Sequence, residues 1–141
     1  MGGDFYDIIE IDRNRIGIII ADVSGKGVSA ALFMAVSCTI MKSTALRGGG
    51  PGEVLEQVNN VLAQENESSM FVTLFYGIID IRNNGLSYAN AGHNPPYLMH
   101  SDKTVTAIEC TGGVALGVLT GCDTPKRASR CKQATRFSVT P

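Results

Sequence analysis

Two aspartates raise the first chemical question in this 141-residue chain. Asp4 opens "DFYDIIEI" (4–11) and Asp22 closes "RIGIIIAD" (15–22), with Asp12-Arg13-Asn14 between the two runs. Apolar-rich runs on either side of a short polar turn predict an antiparallel hairpin. A hairpin turning about Arg13 puts Asp4 directly opposite Asp22. Opposed side chains have Cβ atoms about 4.5–5.5 Å apart, and like charges there repel. A hard divalent cation such as Mg²⁺ or Mn²⁺ takes carboxylate oxygens and would relieve the repulsion. The plainer alternative is that both aspartates only cap loops in solvent. Register decides, because a slip of one residue sends the two side chains to opposite faces.

Asp22 leads into "ADVSGKGVSAALFMA" (21–35), where Lys26 lies between two glycines at the start of an apolar helix. Glycines there leave amide N–H groups free for an anion, and Lys26 can add a point charge for a phosphate. An ordinary solvated lysine explains it equally well. The stretch is not a Walker loop, since Ile20 and Gly27 stand where that motif needs glycine and Ser/Thr. "GGDFY" (2–6) likewise lacks, at Phe5, the acidic residue of the cyclase signature it resembles. "NAGHNPP" (90–96) reads first as a turn built from Gly, Asn and Pro. A proton-donor role for His93 is the competing reading, because imidazole titrates near neutrality. His100, Asp80 and Asp102 read as surface groups.

The elements that must position these groups come in runs. After the first hairpin, residues 27–46 predict a helix that is apolar nearly all round, hence well buried, with Leu32, Phe33 and Val36 in the core. "RGGGPG" (47–52) breaks the chain, and Pro51 suits the first turn of a second helix. Val54, Leu55, Val58, Val61 and Leu62 form one apolar stripe along it. Strands follow at 70–81 and 86–92, then a hairpin of "PPYLMH" (95–100) and "TVTAIE" (104–109). The order β-β-α-α-β-β-β-β argues for an α+β fold, with helices packed on antiparallel sheet.

Composition sets the frame. Apolar residues make up 44% and charged residues 18%, as in a globular domain. No apolar run approaches the ~20 residues of a membrane helix, so no membrane segment is expected. The first residues lack the basic and apolar regions of a signal peptide. Cys38, Cys110, Cys122 and Cys131 lie far apart without metal-type spacing, which favours reduced thiols in a cytoplasmic protein. Net charge is −1, yet residues 1–123 hold 7 basic and 13 acidic side chains while 124–141 hold 5 basic and none acidic. With one aromatic residue and no periodicity, that basic stretch reads as a solvated tail; no nucleic-acid partner is expected.

Five blocks together are similar to the bacterial PP2C-type serine phosphatases, in the branch of the sporulation and stress regulators SpoIIE and RsbU. They are "GGDFYD" (2–7), "ADVSGKGVSAALFMA" (21–35), "MFVTLFYGIID" (70–80), "YANAGHNPPYL" (88–98) and "ALGV" (115–118). The resemblance implies an α-β-β-α sandwich of antiparallel sheets with flanking helices and a centre of two Mn²⁺ or Mg²⁺ ions. It implies hydrolysis of phosphoserine or phosphothreonine on a regulatory protein of the anti-sigma-factor-antagonist type. Asp4 and Asp22 match metal-ligand aspartates, with Asp22 acting through metal-bound water, and Val23 matches a position giving its backbone carbonyl. Lys26 and His93 are the candidates for phosphate or substrate binding. A homodimer is open to such a domain.

The match covers about residues 2–118, so the domain is taken as 1–118, incomplete at both ends, with 119–141 an atypical basic tail. The family's later strands and their metal-binding aspartates have no counterpart in "LTGCDTPKRASRCKQATRFSVTP" (119–141). An impaired phosphatase is therefore expected, and the alternative is a non-catalytic phosphoprotein-binding module.

Overall fold

The structure is a computed structural model that describes residues 4–64, 66, 69–100, 102–110, 113–118, 127–129 and 136–137. Its first two strands are β1 (Asp4–Asp12) and β2 (Arg15–Val23). Asp12 closes the turn between them by accepting the Asn14 N–H at 2.9 Å and the Arg15 Nε–H at 2.7 Å. Two helices follow, α1 (Val28–Leu46) and α2 (Pro51–Gln64). Then come β3 (Val72–Asp80), β4 (Gly85–Ala91), β5 (Tyr97–Met99), β6 (Val105–Ala107), β7 (Arg127–Ser129) and β8 (Arg136–Phe137).

Five strands make one antiparallel sheet in the order β1-β2-β3-β4-β7, and three make a second, β6-β5-β8. The expected hairpin of 95–100 with 104–109 is present, with Leu98 opposite Thr106. The short strands β7 and β8 correct the reading of 119–141 as a wholly solvated tail. Arg127–Ser129 pairs with β4, and Arg136–Phe137 pairs with β5. Segments of two or three residues carry no periodicity for a sequence to display. The expectations for Cys122 and Cys131 lie outside the described residues.

The main sheet is covered on both faces. Ile9, Ile19, Ala21, Val23, Leu74, Tyr76 and Ile78 face the helices and join Met41, Val54, Leu55, Val58 and Leu62 in the larger core. On the other face Ile20, Phe75, Leu86 and Tyr88 are buried, and Ile108 and Cys110 tie in the segment leaving β6. Phe75 and Tyr88 stack at 5.6 Å. The nearly unbroken apolar run of β2 follows from this double burial.

Helix α1 departs from expectation. Its buried residues are Ala30, Ser37, Met41, Thr44 and Ala45, with Phe33 only partly buried, while Leu32 is 63% and Val36 49% exposed. A helix apolar all round gives no hint of which face will dock, and here the docked face is the one that holds Ala30, Ser37, Met41, Thr44 and Ala45. The buried hydroxyls are satisfied locally, Ser37 Oγ donating to Phe33 O at 2.7 Å and Thr44 Oγ1 accepting from Arg47 at 3.2 Å. On α2 the predicted stripe holds except at Val61, which is 42% exposed. With 19 residues and a mean hydropathy of 1.4, α1 is also long and apolar enough to cross a membrane by length and composition, which corrects the expectation that no such segment exists. In this fold it packs on the sheet instead. Half-buried Cys38, on the same helix, has its thiol pushed up by burial to about 11, as expected of a packed, unreactive cysteine.

Replacing Met41, fully buried, by Ala should cost roughly 2–5 kcal/mol, whereas Leu32→Ala should cost under about 1 kcal/mol. Urea titration of both variants checks this. The reverse ranking would mean that α1 docks through its other face. Tyr76 is wholly buried, and its hydroxyl has no hydrogen-bond partner among the described residues. Tyr76→Phe should therefore leave stability unchanged or raise it by about 1 kcal/mol in the same assay.

Candidate metal and phosphate site

The ladder from β1 to β3 builds the site. Asp4 pairs with Asp22, and Asp22 pairs in turn with Thr73. Three polar side chains thus stand in a row on one face, at the end of the sheet away from the Asp12 turn. Asp7, three residues on, belongs to the opposite face, where it meets Lys42 of α1 at 3.3 Å. Both site aspartates are exposed, and no cation or donor pairs with either carboxylate among the described residues.

Val23 ends β2 with its side chain in the core, 4% exposed, so only its backbone can serve a ligand. The ladder continues past it: Ser24 N–H donates to Phe71 O, and Phe71 N–H donates to Ser24 Oγ, both at 2.9 Å. Lys26 is exposed in the loop before α1, with no ion pair or hydrogen bond among the described residues. Gly25 and Gly27 have φ of 89° and 87°, a left-handed backbone that favours glycine, and α1 starts without a side-chain cap.

His93 reaches the row from the far side of β3. Its Nδ1 lies 3.1 Å from Thr73 Oγ1, which also donates to the Asp22 carbonyl at 3.3 Å. Asn90, at the end of β4, clamps the His93 backbone twice, Nδ2 donating to His93 O at 2.7 Å and Oδ1 accepting the His93 N–H at 2.9 Å. "NAGHNPP" is thus a turn, as its composition suggested, and the turn also aims the imidazole at the aspartate row. Burial holds the His93 imidazole below its usual range, while the Asp22 and Asp4 charges oppose that shift. The sequence reading missed Thr73 and Asn90. Their one signal was a polar residue at an inward position of an otherwise apolar strand.

The loop behind the turn is fastened by close backbone approach. A Cβ on Gly113 would fall 2.1 Å from Asn90 O, so only glycine fits. Leu116 exchanges two backbone hydrogen bonds with Val72, Asn59 Oδ1 accepts the Gly117 N–H at 3.0 Å, and Asn66 donates to Gly117 O at 2.9 Å.

Two facing carboxylates in solvent, with no counter-charge among the described residues, form a donor set suited to a hard divalent cation. The described residues contain no group of three or more His, Cys, Asp or Glu side chains able to hold a metal. The set therefore fits a partial coordination sphere completed by water.

A helix-backed antiparallel sheet with an aspartate pair at one end is the architecture of the PP2C phosphatases. The family described as Stage II sporulation protein E (SpoIIE) matches residues 12–137, and the chain belongs to that family. Phosphoserine phosphatase RsbU of Bacillus subtilis is 39% identical over 119 residues, covering 84% of this chain and 35% of its own length. Phosphoserine phosphatase RsbP of the same organism is 33% identical over 107 residues, covering 73% and 26%. The solved RsbU and RsbW domains of a Mycobacterium tuberculosis protein superpose with a TM-score of 0.81 at 30% identity, covering 94% of this chain and 36% of that one. The chain thus spans between 26% and 36% of the length of these relatives.

Without divalent ions, Asp22→Asn should leave the melting temperature unchanged or raise it slightly, since it removes a like-charge pair worth less than about 1 kcal/mol. Added Mn²⁺ should raise the melting temperature of the unsubstituted chain, because a ligand bound only by the folded state stabilises it. The Asp22→Asn variant should not respond. Equal Mn²⁺ shifts in both chains would rule out Asp22 as a ligand.

Proposed function

We propose that this chain is the metal-binding portion of a protein serine/threonine phosphatase. On this reading it acts in the cytoplasm on phosphoserine or phosphothreonine of a regulatory protein of the anti-sigma-factor-antagonist type. The observation that carries the reading is the direct opposition of Asp4 and Asp22 without any counter-charge among the described residues. Kinship with the two phosphoserine phosphatases adds the reaction class. Mn²⁺ or Mg²⁺, as a pair of ions, supplies a Lewis acid for the phosphoryl oxygens and a means of activating water.

The chain's own groups have separable tasks. Asp4, Asp22 and the Val23 carbonyl would hold the cations at the sheet end. Lys26, unpaired among the described residues and flanked by glycines, meets the phosphate as it approaches. His93 contacts the substrate beside the phosphate. No protein nucleophile is needed, because water attacks phosphorus directly.

The alternative, a non-catalytic phosphoprotein-binding module, draws on the same donor set. Two carboxylates leave most of six coordination positions to water, so affinity is weak and a second ion has little beyond Asp22 to hold it. Isothermal titration should give an Mn²⁺ Kd on the order of 0.1–1 mM, as for weakly liganded oxygen sites, and Asp22→Asn should abolish binding. Slow Mn²⁺-dependent release of phosphate from a phosphoserine peptide supports an impaired phosphatase. Phosphopeptide binding without any release supports the binding module. Tight two-site Mn²⁺ binding with rapid turnover would overturn the account of an impaired site.

A further inference from the structure

Thr73 is assigned no task in the phosphate chemistry, yet its hydroxyl touches both halves of the site. It is 3.3 Å from the Asp22 carbonyl oxygen and 3.1 Å from His93 Nδ1. A hydroxyl has one proton to give and lone pairs to accept with, whereas a carbonyl oxygen can only accept. Both contacts are satisfied together in one way only. Thr73 donates to Asp22 O, and Nδ1 of the imidazole carries a proton and donates to Thr73 Oγ1.

We propose that Thr73 is the positioning residue that fixes His93 as its Nδ1–H tautomer and leaves Nε2 as the acceptor nitrogen facing a ligand. The inference rests on the reading of His93 as a substrate contact and adds the reason why that ring has one face to offer. Three restraints act on the residue: Asn90 holds its backbone N–H and its carbonyl, and Thr73 holds one ring nitrogen. Nε2 has no partner among the described residues. The second ring nitrogen commonly sets the role of the first in functional imidazoles, and a strand threonine is a stiff support for it because of its branched Cβ. The same threonine contacts the backbone of a proposed metal ligand, so it couples the placement of Asp22 to that of His93.

The test is the ¹⁵N spectrum of the His93 ring in the full 141-residue chain, recorded at a pH where the imidazole is neutral. Nδ1–H should dominate in the unsubstituted chain. Thr73→Val keeps the shape and strand preference but removes the hydroxyl, and it should lower the Nδ1–H to Nε2–H ratio by roughly two- to tenfold. Thr73→Ser should restore it, an outcome that loss of packing alone would not give. A dominant Nε2–H tautomer in the unsubstituted chain overturns the proposal with no variant needed. So does a ratio that Thr73→Val leaves unchanged. The affinity of His93→Gln for a phosphoserine peptide is read separately: unchanged affinity there overturns His93 as a substrate contact, whatever the tautomer.

Discussion

The register of β2 between its neighbours is the constraint on which the rest depends. One strand, buried on both faces, fixes Asp4 on one side and Thr73 on the other by backbone pairing alone. Because side chains alternate with a period of two, the same register sends Ile20 and Phe75 into one core and Ile19 and Tyr76 into the other. A one-residue slip of β1 would turn buried Ile9 outward and exposed Glu10 inward, so hydrophobic burial enforces the placement of the carboxylates. The energy that holds the site comes from residues that take no part in its chemistry.

That placement is unfavourable locally, and the structure surrounds it with polar clamps. Asn90 organises the His93 turn, Asn59 and Asn66 bind the loop at Gly117, and Leu116 pairs with the start of β3. A backbone-to-side-chain clamp places a loop with the accuracy of a ladder hydrogen bond without requiring another strand. Gly113 belongs to the same scheme, since any side chain there would displace Asn90 and with it the imidazole. Rigid support behind exposed chemical groups is what a preorganised site requires.

How much of this could be read from the sequence depended on whether the deciding contact was local. The β1–β2 register was legible because a single polar turn and two apolar runs leave few ways to pair, and Asp4 does face Asp22. The docked face of α1 was not, since an all-apolar helix has no preferred side and the winning one holds Ser37 and Thr44. Thr73 and His93 are twenty residues apart in the chain and meet only because β3 and β4 are neighbours. No spacing rule reports such a meeting. Strands β7 and β8 are too short to show alternation, so a charge count alone could only suggest a tail.

The two ends of the main sheet make the functional assignment sharper. At the turn end, a cleft of about 400 Å³ is lined by Arg15, Asp80, Asn83 and Ser87, together with Gly49 and Gly50. Its carboxylates and those beside it are already engaged: Asp12 holds Arg15 and Asn14, and Asp80 holds the Arg82 N–H and the Asn83 amide. Those aspartates are explained by the turns they close. Asp4 and Asp22 close no turn, and Lys26, four residues beyond Asp22, has no ion pair among the described residues. Among the described residues, the acids at the turn end are each held by a partner, while two at the other end face each other with none.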